Sequence, residues 1–573
     1  MTPASASTSG RSGVGARVAG RARALLPRRD DFVAMTRSPR RDLVAGVTVG
    51  IVALPLALAF GISSGMGAAA GMVTAVVAGV LAAVFGGSNL QVSGPTGAMT
   101  VVLVPIIAQF GGDGVLVVGL MAGLLLVVMA AAGAGRYVRL IPLPVIEGFT
   151  LGIAVIIAMQ QVPAALGVPP EGEKVLSVAA RAGGEWLTSP QWWPVALATG
   201  VGGTMLLAAR LRPRAPASLV AVAAATAVAE ALDLDVARIG ALPTGLPAPH
   251  LPDLAMAEVP ALVVPAVAVA LLAALESLLS ATVADAMSVS ERHDPDRELF
   301  GQGVANLATP LFGGIPATAA IARTAVNVRS GAASRLSAVL HAVVLLLAMA
   351  VLGPVVASIP LAALAGVLVA TAARMVEVSS VRALLRSSRS DGAVLVLTAL
   401  ATVALDLVTA VVLGVLVAGA LALRQIARDA TLEETPLAGV ASDPQGGGTA
   451  EEHALLDAHI VAYRLDGPLF FVGAHQALLE LSELSDIRVV ILRMSRVVTL
   501  DATGAAVLRD AIRQLEHRGI TVLLSGVPAR HSAVMEALGV YDSLAHERHL
   551  FATTPEAIVH ARLHAAGAPH EAA

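Results

Sequence analysis

Two charged residues stand in this chain where a charge is costly. Arg323 lies in GGIPATAAIARTAVNVRSG (313–331), which opens on two glycines and a proline and stays small-sided up to the arginine. Glu276 lies in VVPAVAVALLAALESLLSATVADAM (263–287), four residues before Ser280 and so on the same helical face. An arginine at membrane depth faces a partner or a watery cavity, and an intramembrane carboxyl marks an ion or proton pathway. Glycine and proline break a spanning helix. A helix that starts inside the membrane offers open N–H groups and about half a positive charge to an anion. Arg323 would add a full charge to such a site, and Glu276 could carry a coupling proton. The plainer alternative is a fixed Glu276–Arg323 pair with a structural role.

A second segment shares this grammar. SNLQVSGPTGAMTVVLVP (88–105) and FGGIPATAAIARTAVNV (312–328) each place Gly, Pro and Thr, then small residues, at a helix start. Pro95 and Pro316 could be ordinary kinks, but two in related positions point to two facing half-helices.

The elements that must position these residues are apolar runs. The chain has 573 residues, 14% of them charged, and a mean hydropathy of +0.78. Runs long enough to cross a bilayer core of ~30 Å as helix centre near residues 52, 76, 103, 123, 154, 202, 223, 270, 343, 366, 399 and 416. Two shorter segments, 299–311 and 317–328, bring the expected count to fourteen, with the two half-helices as the third and tenth. A seven-plus-seven inverted repeat relates those two positions. Short alternating strands, the mark of a membrane barrel, do not occur.

Loop charge fixes an orientation. The even-numbered connections hold Arg136 and Arg139; Arg210, Arg212 and Arg214; Arg292 and Arg297; Arg329 and Arg335; and Arg374, Arg382, Arg386 and Arg389. The odd-numbered ones hold Asp113, Glu171, Glu173, Asp233, Asp235, Asp253 and Asp406. The positive-inside rule then places both termini in the cytoplasm. Trp186, Trp192 and Trp193 gather at one outer loop as an interfacial anchor. Other intramembrane polar residues read as packing or boundary groups: His341 as a hydrogen-bonded packing residue, Glu147 as interfacial and Asp285 as a helix-end residue.

Residues 1–40 are rich in Ser, Gly and Arg and read as a disordered cytoplasmic tail that can touch anionic lipid. The transmembrane domain is expected over 41–428, a linker over 429–452, a cytoplasmic α/β domain over 453–565 and a short tail over 566–573. In the α/β domain, HIVAYRLDGPLFF (459–471) reads as two strands around an Asp466-Gly467-Pro468 turn. VVILRMS (489–495) reads as a buried strand, TGAAVLRDAIRQLEHRG (503–519) as an amphipathic helix and ITVLLSG (520–526) as another strand. This domain shows no phosphate loop, no metal-ligand cluster and no triad, so it reads as regulatory or structural. There are no cysteines, which excludes thiolate sites and disulfides. The net charge of -3 argues against a nucleic-acid partner. No catalytic residue, cofactor or metal is expected; the chain reads as a transporter and not an enzyme.

The chain resembles the SulP family of sulfate-permease-like anion transporters that end in a STAS domain. The resemblance rests on ALPLALAFG (53–61), VSGPTGA (92–98), PVIEGFTLGIAV (144–155), IGALPTGLPAP (239–249), ESLLSA (276–281), RELFGQGVANLATPLFGGIPATAAIARTAVNVRSGA (297–332) and LDATG (500–504). It implies an all-α polytopic membrane protein of about fourteen helices in two inverted repeats, split into core and gate domains, followed by a cytoplasmic α/β STAS domain. It implies a homodimer in the cell membrane whose core moves like an elevator. By resemblance the anion site comprises Leu56, Phe60, Thr96, Gly97, Ala320, Ile321, Ala322 and Arg323, with Glu276 and Ser280 as the proton-coupling pair. Sodium-coupled bicarbonate members typically carry Asp and Thr at those last two positions, which favours a proton here. The first-span Gln of animal members is Leu56 in this chain, which leaves more of the binding to backbone amides. Signalling STAS proteins phosphorylate a Ser where Thr503 stands; Thr503 is a candidate phosphosite or a helix cap.

The function expected is proton-coupled symport of a small inorganic or carboxylate anion, such as sulfate, bicarbonate or a dicarboxylate. The alternatives are an uncoupled exchanger or channel, a sodium-coupled bicarbonate transporter, and a membrane-anchored signalling protein.

Overall fold

The computed structural model of the chain describes residues 23–170, 172, 175–211, 216–253, 258–288, 292–405, 407–428, 431–434, 459–469, 487–546 and 549–565. Outside them lie residues 1–22 of the expected tail, 435–452 of the linker, the 566–573 tail, Phe470 and Phe471, and the loop charges Glu171, Glu173, Arg212, Arg214 and Asp406. The chain divides into two compact units after Val415.

In the first unit a short helix α1 (Arg29–Arg37) precedes α2 (Pro39–Ser63) and α3 (Gly67–Phe85). The strand β1 (Ser93–Gly94) leads into α4 (Gly97–Ala132), then α5 (Leu143–Gln160), α6 (Val162–Leu166), α7 (Val175–Thr188), α8 (Trp192–Leu211) and α9 (Ala217–Ala231). The second half runs α10 (Val263–Met287), α11 (Pro295–Ala308), β2 (Thr318–Ala319), α12 (Ile321–Arg329), α13 (Leu336–Val351) and α14 (Gly353–Ala357). It continues through α15 (Leu361–Met375), α16 (Val378–Ser387) and α17 (Arg389–Ala404) into α18 (Leu407–Arg428), within which the unit boundary falls.

Each of the fourteen expected centres falls on a helix. α4 carries two of them, because Gly111 takes φ 69° and ψ -169° and breaks it near its middle. Seven helical stretches among the described residues are long and apolar enough to cross a membrane by length and composition. α11 and α12 are too short for that criterion, as half-helices and their neighbours should be. The helices pack in two sets: α2, α3, α4, α10, α11, α12 and α13 against one another, and α5, α8, α9, α15 and α17 likewise. These are the core and gate groups of the expected fold.

The N-terminal tail needs correction. Arg29–Arg37 is helical, because Asp31 has partners far along the chain: it pairs with Arg297 and Arg335, whose side chains are 6% and 2% exposed. Both arginines counted as loop charges are therefore buried. Glu147 accepts from the Ser380 hydroxyl at 2.9 Å, and Asp285 contacts the His293 ring at 2.7 Å near the end of α10. His341 is fully buried on α13, where a packing residue is expected.

The second unit is an α/β domain. Its sheet has the order β3 (Thr431–Glu434), β4 (Ile460–Leu469), β5 (Val489–Leu500), β6 (Thr521–Ser525) and β7 (Leu550–Phe551). The β3–β4 pair is antiparallel and the others are parallel. α19 (Ala502–His517) buries Leu508, Ile512 and Leu515 against Val490, Leu492 and Leu524 on one face. The short α20 (Ala529–Ala537) follows β6, and α21 (Thr554–Ala565) covers the other face, against Val489, Ile491 and Leu523. Alternate residues of β5 thus face opposite helices, as the pleat requires.

Three expectations fail here. Residues 431–434, assigned to the linker, form an edge strand on β4. The Asp466-Gly467-Pro468 turn is not a turn: β4 runs on as one strand, with register shifts there and Gly467 at φ 92° absorbing them. The expected absence of a metal-ligand cluster is contradicted by His549, His560 and His564, which converge.

Candidate anion site

Two half-helix starts lie side by side. Ser93 pairs with Ala319 and Gly94 with Thr318 in an antiparallel ladder, so α4 and α12 begin from one two-stranded ribbon. The Ala320 N–H extends the ladder to the Val92 carbonyl at 3.1 Å.

Neither half-helix is capped by a side chain. Thr96 holds the N-cap position of α4, where a threonine oxygen ordinarily accepts from first-turn N–H groups. Its hydroxyl instead donates to Glu276 Oε2 at 2.8 Å. Ala320 holds the same position in α12 and has no side-chain oxygen. No side chain therefore satisfies the first-turn N–H groups of either helix.

Arg323, two residues into α12, is 1% exposed. Its Nη2 donates to the Pro95 carbonyl at 2.5 Å, while Nη1 is buried with no hydrogen-bond partner. Among the described residues no carboxylate lies within 4.0 Å of its guanidinium, yet the Glu276 and Arg323 charges still act on one another. Gly94 is what admits the guanidinium: a Cβ there would stand 2.6 Å from Nη1.

The remaining expected residues fall around this ribbon. Phe60 and Leu56 are buried on α2, and a Cβ on Gly97 would meet Phe60 Cε1 at 3.2 Å. Ile157 of α5, which sequence reasoning missed, closes on the same point: its Cδ1 is 2.3 Å from that Cβ position. Ile321 and Ala322 are exposed at the start of α12. Glu276 is half-buried. Ser280 points elsewhere, donating to Thr324 Oγ1 at 2.9 Å, and that oxygen accepts from Val92 N at 3.1 Å. Ser277, also missed, meets the Thr318 hydroxyl at 2.9 Å and accepts from Ala319 N at 3.2 Å. One turn-and-a-bit of α10 thus stitches both strands of the ribbon.

The polar residues of the 297–332 block do similar work. Glu298 accepts from the N–H groups of Gly87 and Ser88 at 2.9 and 3.1 Å. Gln302 donates to Ser93 Oγ at 2.7 Å, and Asn306 exchanges two hydrogen bonds of 2.8 Å with the Ala317 backbone. Their spacing in the sequence carried a signal, but their partners lie up to 211 residues away. A cavity of about 250 Å³ lies apart from this ribbon, lined by residues such as Met129, Phe149 and Leu272, and has no cation to hold an anion.

The comparisons with known proteins decide the family. The Sulfate permease family model matches residues 40–398, more than half the chain, and the STAS domain model matches 455–557. The chain belongs to the sulfate permease family. It is 35% identical over 533 residues to a Bacillus subtilis protein provisionally named a sulfate transporter, covering 89% of this chain and 96% of that one. It is 30% identical to the bicarbonate transporter BicA of Picosynechococcus, covering 88% and 92%. The solved transmembrane domain of a cyanobacterial BicA matches at 31% identity and a TM-score of 0.59, over 67% of this chain and 98% of that one. Murine Slc26a9, an anion transporter solved in the inward-facing state, matches at a TM-score of 0.79 over 97% and 96%, and at 17% identity shows a shared fold. As a member of the sulfate permease family the chain is a multi-pass membrane anion transporter, with a STAS domain as its second unit.

Of the family motifs, LDATG opens α19, where Asp501 accepts from Gly504 N at 2.7 Å and is the helix cap. Thr503 is exposed and does not cap.

Proposed function

We propose that the protein is a proton-coupled symporter of a small oxyanion or carboxylate, which binds between the first turns of α4 and α12. The observation that carries this is the pairing of two uncapped helix starts in one ribbon beside a buried, unpartnered Arg323 Nη1. Each helix start favours an anion by about 0.3–1 kcal/mol, and more where partly buried. A charge-assisted hydrogen bond from Arg323 adds about 1.5–3 kcal/mol.

The Thr96–Glu276 contact supplies the coupling. An ionised Glu276 occupies the positive end of α4 and competes with an incoming anion. A protonated Glu276 leaves that end to the substrate. Anion and proton then bind together and leave together. The names of the relatives favour sulfate and bicarbonate as first candidates. The arginine-rich even connections support a cytoplasmic position for both termini. The exposed Thr503 at the start of α19 would accommodate a phosphate, which is favoured at a helix N-terminus.

Purified protein in liposomes would be supplied with labelled sulfate, bicarbonate or C4-dicarboxylate under an imposed proton or sodium gradient. An inward proton gradient should drive uptake of at least one of these, and Glu276→Gln should transport it with no such drive. Sodium drive, or unchanged pH dependence in Glu276→Gln, would refute proton symport.

A further inference from the structure

The second unit gathers three imidazoles that anion transport does not use. His560 and His564 stand four residues apart on α21 and so share one face. His549, 1% exposed, immediately precedes β7. The Nε2 of His564 lies 3.2 Å from Nε2 of His549 and 3.2 Å from Nε2 of His560. The three ligand nitrogens all fall within 4.8 Å of one another. The His564 ring stands at 85° to that of His549 and 63° to that of His560, so the nitrogens converge while the rings splay apart.

Packing, not the imidazoles, fixes the backbone beneath them. Ala557, Ile558 and Ala561 seat α21 on the sheet against Ile460, Val489 and Leu523. His560 and His564 project from a helix already held in place. Two nitrogens bound at about 2.0–2.1 Å to a tetrahedral Zn²⁺ stand about 3.3 Å apart, close to the observed spacings. Neutral imidazole suits zinc, copper and nickel, whereas calcium and magnesium take oxygen ligands. The Phe551 ring, 5.1 Å from that of His560, walls one side with apolar surface.

We propose that His549, His560 and His564 form a site for one divalent transition-metal ion of the zinc class, clamping the last helix of the STAS domain to its edge strand. Three imidazoles leave a fourth tetrahedral position for water. The ion would add a direct tie between α21 and the start of β7 to the packing that already seats the helix on the sheet, so that metal supply adds to how firmly α21 is fastened.

The test uses the full-length protein, purified through a tag without histidines and stripped with EDTA. Co²⁺ serves as the probe, because tetrahedral Co²⁺ absorbs visibly. One Co²⁺ per chain should bind with a tetrahedral spectrum and be displaced by Zn²⁺. The double variant His560→Gln/His564→Gln should bind it about a hundredfold more weakly or not at all, beyond the loss seen when only an outer partner is removed. Its anion uptake should match the parent, which shows that it is folded. His517→Gln, which changes an exposed histidine on α19, should bind Co²⁺ normally. Binding by the parent no tighter than by the double variant, or binding that also falls in His517→Gln, overturns the site.

Discussion

Gly94 shows how tightly the proposed anion site is drawn around Arg323. An added Cβ would meet Nη1 at 2.6 Å on one side and Ala75 Cα at 3.3 Å on the other. The helix backbone of Ala75 cannot give, so the guanidinium must. Gly94→Ala is therefore expected to displace Arg323 and weaken anion binding about tenfold, the loss of one charge-assisted hydrogen bond. Anion affinity measured in detergent checks this, and parental affinity would show that the guanidinium is free to move without consequence. Arg323 and Glu276 stood out as candidates because membrane burial makes any charge conspicuous. Their hydrogen-bond partners were not legible in the sequence: the fold gives Arg323 the Pro95 carbonyl and Glu276 the Thr96 hydroxyl, while the two charges act on one another without direct contact. Thr503 misled for a related reason. Two capping residue types stand close together in Asp501-Ala502-Thr503-Gly504, and only the backbone geometry shows that Asp501 is the cap.

At the scale of elements, the hydrophobic runs made the fourteen expected segments readable, since each run reports on local burial alone. What the runs cannot report is which distant segment satisfies a polar group. α1 is the clearest case. It has a polar sequence with no buried residue, and its anchor is Asp31 reaching Arg297 and Arg335. Burial opposes ionisation of Asp31, but the Arg297 hydrogen bond, the Arg28 N–H and the two arginine charges together hold its carboxyl below the ordinary range. A lowered carboxyl pKa stabilises the folded state above the unfolded value of about 3.9 and loses that contribution as pH falls through the folded value. The α1 anchor is thus intact at neutral pH and released only in strong acid. Asp31→Asn should lower stability at pH 7 by about 1.5–3 kcal/mol, the range for hydrogen bonds to charged groups. Thermal unfolding in detergent reads this out; an unchanged midpoint would mean that α1 contributes nothing to the fold. The β4 bulge and the β3 edge strand escaped the sequence for the same reason, as both are set by pairing with a neighbour.

For the whole molecule, the packing of the helices into two sets has a mechanical consequence. The ribbon, α10 and the 297–332 block are bound together by buried hydrogen bonds within one set. Ile157, on α5 of the other set, meets the site through apolar contact at Gly97. A site welded to one group and only touched by the other can travel with the first as a body, which is what alternating access about a fixed binding site needs. The central claim is that Arg323 serves the anion and not the fold. Equilibrium binding of the transported anion to purified Arg323→Ala, with thermal stability followed in parallel, tests it most directly. The account predicts affinity reduced about tenfold or more, with the protein still folded. Parental affinity in a folded Arg323→Ala protein would contradict it.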